Sequence, residues 1–324
     1  MANIAGVAGL TTALTLARTT NHKITVHMPG DYDIEYTSPW AGTNCCRAVS
    51  ARNTPAAEWD RVTFKELWRL AKNAPEAGIH VQDMIIYSRI ADAGKFCPLS
   101  SSELPPDVDS GIRFKSVYIN TALYLPHLTS QCLAYGIVFK RAVLTHILGA
   151  LSFHHLAPRA DLIVNCTGLL ASNLGGQIVV VRNTTPAMYI ISGIDSSYDD
   201  ECMYIMTRAA GGGTVLGGSY EKEIMKRAIR YCPELVKPGY GIEDLDVVRH
   251  CVGLRPSRVS EPRLELEKKV WDGWEGLGEV RVVHNYGAGG FGYQASYGMA
   301  ENVSRLAEES LAEAEFKTLT KVKL

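Results

Sequence analysis

A chain of 324 residues can bury a core without disulfide staples, and its 46% hydrophobic and 21% charged content is that of a soluble globular protein. Thirty-three basic and 34 acidic residues leave a formal net charge of −1, which excludes the broad basic face that a nucleic-acid backbone requires. The eight cysteines include no CxxC pair and no zinc-ligand spacing with histidine, so reduced thiols and no metal are expected.

In chain order, the first seventeen residues are apolar and rich in small side chains. No basic residue precedes the run, and Gly6 and Gly9 suit a nucleotide-binding turn better than a secretory core. No other stretch is long enough to span a bilayer, so no membrane partner is expected. Residues 7–18 carry apolar side chains at helical spacing, 23–27 (KITVH) read as a short strand, and MPGDYD is turn chemistry. Thr54-Pro55 starts a helix: Thr supplies the capping oxygen, and Pro in the first turn sacrifices no hydrogen bond. That helix runs to about Ala74 with Trp59, Val62, Leu67, Leu70 and Ala71 on its apolar side; Trp59 and Trp68 are expected in the core.

Residues 79–90 alternate as a strand, and 96–111 form a Ser/Pro/Asp-rich loop. From 114 the pattern becomes strand, helix, strand, helix, with the last helix over 144–153. The segment 161–168 (DLIVNCTG) is a buried parallel strand ending in a Gly turn. Strands dominate 177–220, which implies a second, antiparallel unit. A helix over 221–231, a strand over 280–285 and a long helix over 294–316 complete the chain. The fold expected is α/β. A Rossmann-like nucleotide-binding domain (1–52, 114–176 and 252–324) interleaves with a mostly antiparallel sheet domain (53–113 and 177–251).

Two stretches carry chemistry. At the N-terminus, Gly6 and Gly9 match the second and third glycines of GxGxxG, but Ile4 stands in the first position. Only three residues precede Ile4, too few for a central strand, and His27 and Met28 stand where a ribose-binding acid belongs. By itself this is as well read as a plain Gly-containing helix start. The stretch 284–294 (HNYGAGGFGYQ) is more specific. Four glycines in six positions follow a strand and precede a helix, letting backbone approach a flat ligand and freeing N–H groups for an anionic edge.

The residues 282–292 (VVHNYGAGGFG) with Gly298 and Ala300 resemble the signature of the D-amino-acid oxidase family. The segment 252–258 (VGLRPSR) resembles that family's substrate-arginine segment, and 38–42 (SPWAG), 55–64 and 165–168 (NCTG) resemble its other landmarks. The similarity runs from about residue 6 to 310, and the fungal members look most alike. It implies FAD as cofactor, a small D-amino acid and dioxygen as partners, imino acid and hydrogen peroxide as products, and a homodimer as one assembly. It implies Arg255 as a bidentate clamp for the substrate carboxylate, with Tyr204 and Tyr189 as hydroxyl partners. The Gly290 carbonyl would take the amine hydrogens, with Gln294 nearby. Cofactor contacts would come from Gly6, Gly9, Thr37, Ala41, Gly42, Thr43, Gly289, Gly290, Gly292, Tyr293 and Gln294.

Plainer readings stand beside these. An Arg before Pro is commonly a salt-bridge partner, strand tyrosines are commonly core, and His284 is commonly structural. The final Val322-Lys-Leu matches the last two residues of a peroxisomal address, against a cytoplasmic default. Sequence is short relative to the family before Ile4, between Val26 and His27, after Lys95, between Gly176 and Gln177, and after Tyr220. A missing central strand would expose sheet edges and weaken FAD binding, so a flavin-free relative is one alternative. A D-aspartate or glycine oxidase is another; Arg208 and Arg258 are candidates for the second cation an acidic substrate would need.

Overall fold

A computed structural model describes residues 2–4, 6–28, 37–43, 54–88, 98–168, 175–192, 202–218, 224–254, 256–258, 261–271, 273 and 275–321. In chain order the strands are β1 (Ala2–Ile4), β2 (Thr25–Met28), β3 (Ile79–Ser88), β4 (Ser110–Ile119), β5 (Val138–Arg141), β6 (Ile163–Asn165) and β7 (Gly175–Val181). They continue with β8 (Met188–Ser192), β9 (Cys202–Thr207), β10 (Thr214–Gly218), β11 (Val247–Leu254), β12 (Arg263–Lys269) and β13 (Val280–Tyr286). The helices are α1 (Val7–Thr19), α2 (Pro55–Asn73), α3 (Thr121–Ala134), α4 (Ile224–Tyr231) and α5 (Ser296–Lys321).

Six strands form one sheet in the order β12-β13-β6-β1-β2-β5, parallel throughout except for the β12–β13 hairpin. The expectation that the first strand is missing is corrected here. Ala2, Asn3 and Ile4 pair with Thr25, Val26 and His27, and Ala2 also pairs with Ile163, so three residues hold the central place. A strand that short has no readable periodicity; only its pairing on both sides identifies it. Nor is β2 interrupted at Val26–His27, because its ladder to β5 runs unbroken from Thr25↔Val138 to Met28↔Arg141.

One face of this sheet is covered by α1, α3 and α5, whose Leu10, Leu14, Leu125, Leu128, Val303 and Ala307 are buried in a single cluster. The other face is covered by a 3₁₀ helix over Ile147–Phe153, where Leu148 and Leu151 pack with Ile163, Val280 and Val282. The α-helix expected over 144–153 is thus a tighter turn, with Gly149 in its middle disfavouring α continuation.

The second sheet has seven strands in the order β11-β7-β10-β9-β8-β3-β4, antiparallel apart from β3–β8. This is the antiparallel unit expected from 177–220. The strand around 114–119 belongs to it as well: β4 pairs with β3 along ten residues and leads into α3, but lies outside the parallel sheet. The β12 strand was not expected, although Leu264 and Leu266 alternate with Arg263, Glu265 and Glu267 as a half-buried strand should.

Helix α2 begins as its sequence predicts. The Thr54 hydroxyl accepts from the Ala57 amide at 3.2 Å, and Pro55 occupies the first turn. Loss of that cap in Thr54→Ala is expected to cost about 1 kcal/mol, lowering the melting temperature by roughly 2–4 °C in a thermal scan. Among the described residues no helix is long and apolar enough to cross a membrane.

Candidate functional site

The segment Thr37–Thr43 lies between the two sheets and is anchored at almost every residue. The Ser38 hydroxyl accepts from the Val7 amide at 3.1 Å, at the start of α1. The Ser38 carbonyl accepts from the Tyr293 hydroxyl at 2.8 Å, and the Pro39 carbonyl accepts from Thr121 at 2.8 Å. Trp40 packs in a cluster with Ile178, Val180, Val215 and Cys251 of the seven-stranded sheet, with the Arg249 guanidinium 4.6 Å from its ring centre. Thr43 is buried and clipped to β4: its carbonyl accepts from the Ile119 amide at 3.1 Å, and its hydroxyl donates to the Ile119 carbonyl at 3.3 Å. Thr37 caps the short turn, its carbonyl accepting from the Trp40 amide at 3.0 Å.

Tyr204 joins this segment to the sheet. A Cβ on Gly42 would fall 2.5 Å from its ring, and so would a Cβ on Gly217 of β10. The ring is held in a slot that only two glycines leave open. Tyr189 is not brought to it. Register pairs Tyr189 with Ile205 and Tyr204 with Ile190, and directly opposed residues share a face, so the two tyrosines point to opposite faces of the sheet. Tyr189 is buried with Ile224, Ala228 and Tyr231 of α4, and burial pushes its phenol pKa up, with Cys232 and Glu234 adding. Spacing in sequence could not have separated them, since neighbouring strands were aligned by resemblance alone.

The Gly-rich loop follows β13. Gly287 and Gly289 have positive φ (+86° and +55°), which the turn into the 3₁₀ segment Gly289–Phe291 requires. The Gly289 amide donates to the Pro256 carbonyl at 3.1 Å, and Ala288 bridges Ser257. Nothing lies within 4 Å of where a Gly290 Cβ would be, so that backbone faces open space, and Gly292 is nearly as open. Gln294 is buried and donates to the Asp60 carboxylate at 3.3 Å. Asp60 escaped the sequence reading; its place beside Trp59 on the inward side of α2 was the available signal. Arg255 lies outside the described residues. Arg258 is exposed, 5.9 Å from the Tyr286 ring centre, and donates to the Glu261 carbonyl.

Over the β6, β13 and β12 strands and beside residues 144–147, a cavity of about 320 Å³ is lined by Asn165, Thr167, Arg263, Glu267, Trp271 and His284, among others. His284 is structural in the sense expected: Asn165 donates to its Nδ1 at 3.1 Å, and its Nε2 meets Glu267 at 2.9 Å. With Nδ1 accepting, Nε2 carries the proton, the neutral tautomer; burial holds the pKa below the ordinary histidine value, against the opposing pull of Glu267. Arg263 ties Glu267 and Tyr286 into the same group at 3.2 Å each.

The residues fit a dinucleotide. Gly6 caps α1 in an extended conformation, no acid lies in the helix's first turn, and Gly9 is buried within that turn, so the positive helix end carries no acid that would oppose a phosphate. Near the end of β2 the buried His27 ring packs edge-on against Phe153, 5.7 Å between ring centres, and neither of its nitrogens has a partner among the described residues.

The profile of the family described as FAD dependent oxidoreductase (DAO) matches residues 5–306. A D-amino-acid oxidase from Fusarium vanettenii is 41% identical over 355 aligned positions, covering 94% of this chain and 95% of the relative. Those 355 positions exceed the 324 residues here, so the relative holds internal segments that this chain lacks. A D-aspartate oxidase from Talaromyces thermophilus is 29% identical, covering 93% of each chain. Among solved structures, glycine oxidase from Geobacillus kaustophilus aligns with a TM-score of 0.71 at 15% identity, over 95% of this chain and 94% of that one, a likeness of fold. The match across nearly the whole chain and the anchored Thr37–Thr43 segment agree: the chain belongs to the DAO family of FAD-dependent oxidoreductases.

Proposed function

We propose that the protein oxidises neutral D-amino acids to imino acids, which hydrolyse to 2-oxo acids and ammonia, with dioxygen reduced to hydrogen peroxide. FAD, when bound, supplies the hydride-accepting chemistry. The observation that carries this reading is Tyr204, fixed by Gly42 and Gly217 between the substrate-side sheet and the cofactor-side segment. In the proposed site the Tyr204 hydroxyl and the Arg255 guanidinium hold the substrate carboxylate, and the Gly290 carbonyl orients the amine. Gln294, its amide pinned by Asp60, shapes the wall beside it. Gly6, Gly9, Thr37, Ala41, Gly42, Thr43, Gly289, Gly292 and Tyr293 carry the cofactor. Tyr189 is left out, because its side chain packs on the α4 face.

The two sheets also support an interleaved division, with residues 114–119 moved to the seven-stranded side. A homodimer and a peroxisomal destination through Val322-Lys-Leu complete the proposal; those three residues lie outside the described ones.

Purified protein is expected to be yellow and to release peroxide with D-alanine in preference to D-aspartate. Colourless protein that takes up no added FAD would overturn the reading; preference for D-aspartate would move it to the acidic substrates. Arg255→Ala should lower kcat/KM about a hundredfold, the loss of charge-assisted bonds worth about 3 kcal/mol. Full activity in that variant removes Arg255 from the clamp.

A further inference from the structure

Arg208 is a buried charge that the proposed activity does not use. It follows β9 in phase with Tyr204 and Met206, so its side chain lies on the face that carries Tyr204. The residue is 5% exposed. Its Nη2 donates to the Ala41 carbonyl at 3.5 Å, and its Nε is buried without a partner. Among the described residues no carboxylate forms an ion pair with it. The Tyr118 phenol lies beside it, fully buried; burial raises that phenol's pKa to about 12, with Arg208 opposing the rise. A guanidinium has five donors, and one long bond to a carbonyl is poor compensation for lost hydration. A cation kept in that state fits a site whose negative charge arrives from outside the fold.

The segment it touches is the one that supplies Ala41, Gly42 and Thr43 to the cofactor. One of its carbonyls, that of Ala41, accepts from Arg208, its glycine packs on Tyr204, and it is clipped to Ile119 through Thr43. This clamp fixes the guanidinium directly behind that backbone. In the proposed reaction the hydride leaves the substrate Cα with both electrons of the C–H bond. The amino acid becomes an iminium, and FAD, when bound, would take up the hydride together with its one negative charge.

We propose that Arg208 is the fixed buried cation answering that charge, acting from behind the Ala41–Thr43 backbone and setting how readily FAD is reduced; this rests on the oxidase reading above. Arg208 is a positioning charge, without contact to the substrate. A fixed cation in a dry site favours an added negative charge more than water does, because it needs no reorganisation when the charge arrives.

The test compares Arg208→Gln and Arg208→Lys with wild-type holoenzyme by measuring the midpoint potential of bound FAD against a reference dye. FAD dissociation constants and melting temperatures are taken on the same samples. The Gln variant is expected to lower the equilibrium constant for two-electron reduction about tenfold, which is about 30 mV. The Lys variant should stay within about threefold of wild type, since it keeps the charge. Equal midpoints in all three proteins overturn the assignment. Loss of FAD from the Gln variant with retention in the Lys variant supports it, because charge is then what the position supplies. Loss from both overturns it, since shape alone would then explain the residue. Wild-type protein that binds no flavin is a different result, and it fails the oxidase reading itself.

Discussion

Acidification from pH 6.5 towards about 4 is expected to remove up to about 3 kcal/mol of stability through one side chain, His27. The ring is 1% exposed, and its pKa is lowered to about 4, first by burial and then by the nearby charges of Lys140 and His154. Unfolded histidine takes its proton near pH 6.5, whereas folded His27 stays neutral until the pH is far lower. Between those values the unfolded state binds more protons, so stability is present above the window and is lost as pH falls through it. Urea unfolding of the FAD-saturated protein near pH 7 and near pH 4.5 measures the loss. His27→Leu should flatten that part of the profile and cost little at neutral pH, since both ring nitrogens lack partners. An unchanged slope in the Leu variant would remove His27 as the cause.

Gly298→Ala is expected to destabilise the protein by about 3 kcal/mol, although an alanine ordinarily improves a helix by about 1 kcal/mol. Gly298 lies in the first turn of α5, and a Cβ there would fall 2.6 Å from the Trp59 carbonyl oxygen and 2.8 Å from its carbon. Those are backbone atoms of α2, which no rotamer change can move aside. The Gly298 amide also donates to the Thr63 hydroxyl at 3.0 Å, so parting the helices breaks a buried hydrogen bond. The melting temperature should fall by roughly 6–12 °C; a rise would show that the two helices yield at this crossing.

Much of the outline was legible. Thr54-Pro55, the alternation of 79–90 and the glycines of 287–292 each mark structure through local chemistry: a helix starts at Pro55, a strand spans Ile79–Ser88, and the glycines turn the chain after β13. The central strand was not legible, because three residues carry no period and gain their identity from β2 and β6. The opposed faces of Tyr189 and Tyr204 were hidden for a related reason. Alternation orders residues within a strand, but the pairing of β8 with β9 decides which residues share a side. Arg208 stood in the sequence only as one of two candidate cations, since burial of a charge depends on what surrounds it. The α5–α2 approach at Gly298 was visible only as a glycine near the start of a helix.

The first and last elements of the chain complete each other. Asn285 donates to Thr12 at 3.0 Å, Thr19 meets Ser304 at 3.1 Å, and Leu14 of α1 shares a cluster with Val303 and Ala307 of α5. On the ribosome, α1 emerges almost 300 residues before the helix that covers it, and β1 waits for Ile163. The face of α1 that packs on α5 therefore stays uncovered for nearly the whole of synthesis, although β2 and α3 reach the amino-terminal segment much earlier. A nascent chain of this protein depends on late closure, and chaperone demand should persist until α5 leaves the tunnel.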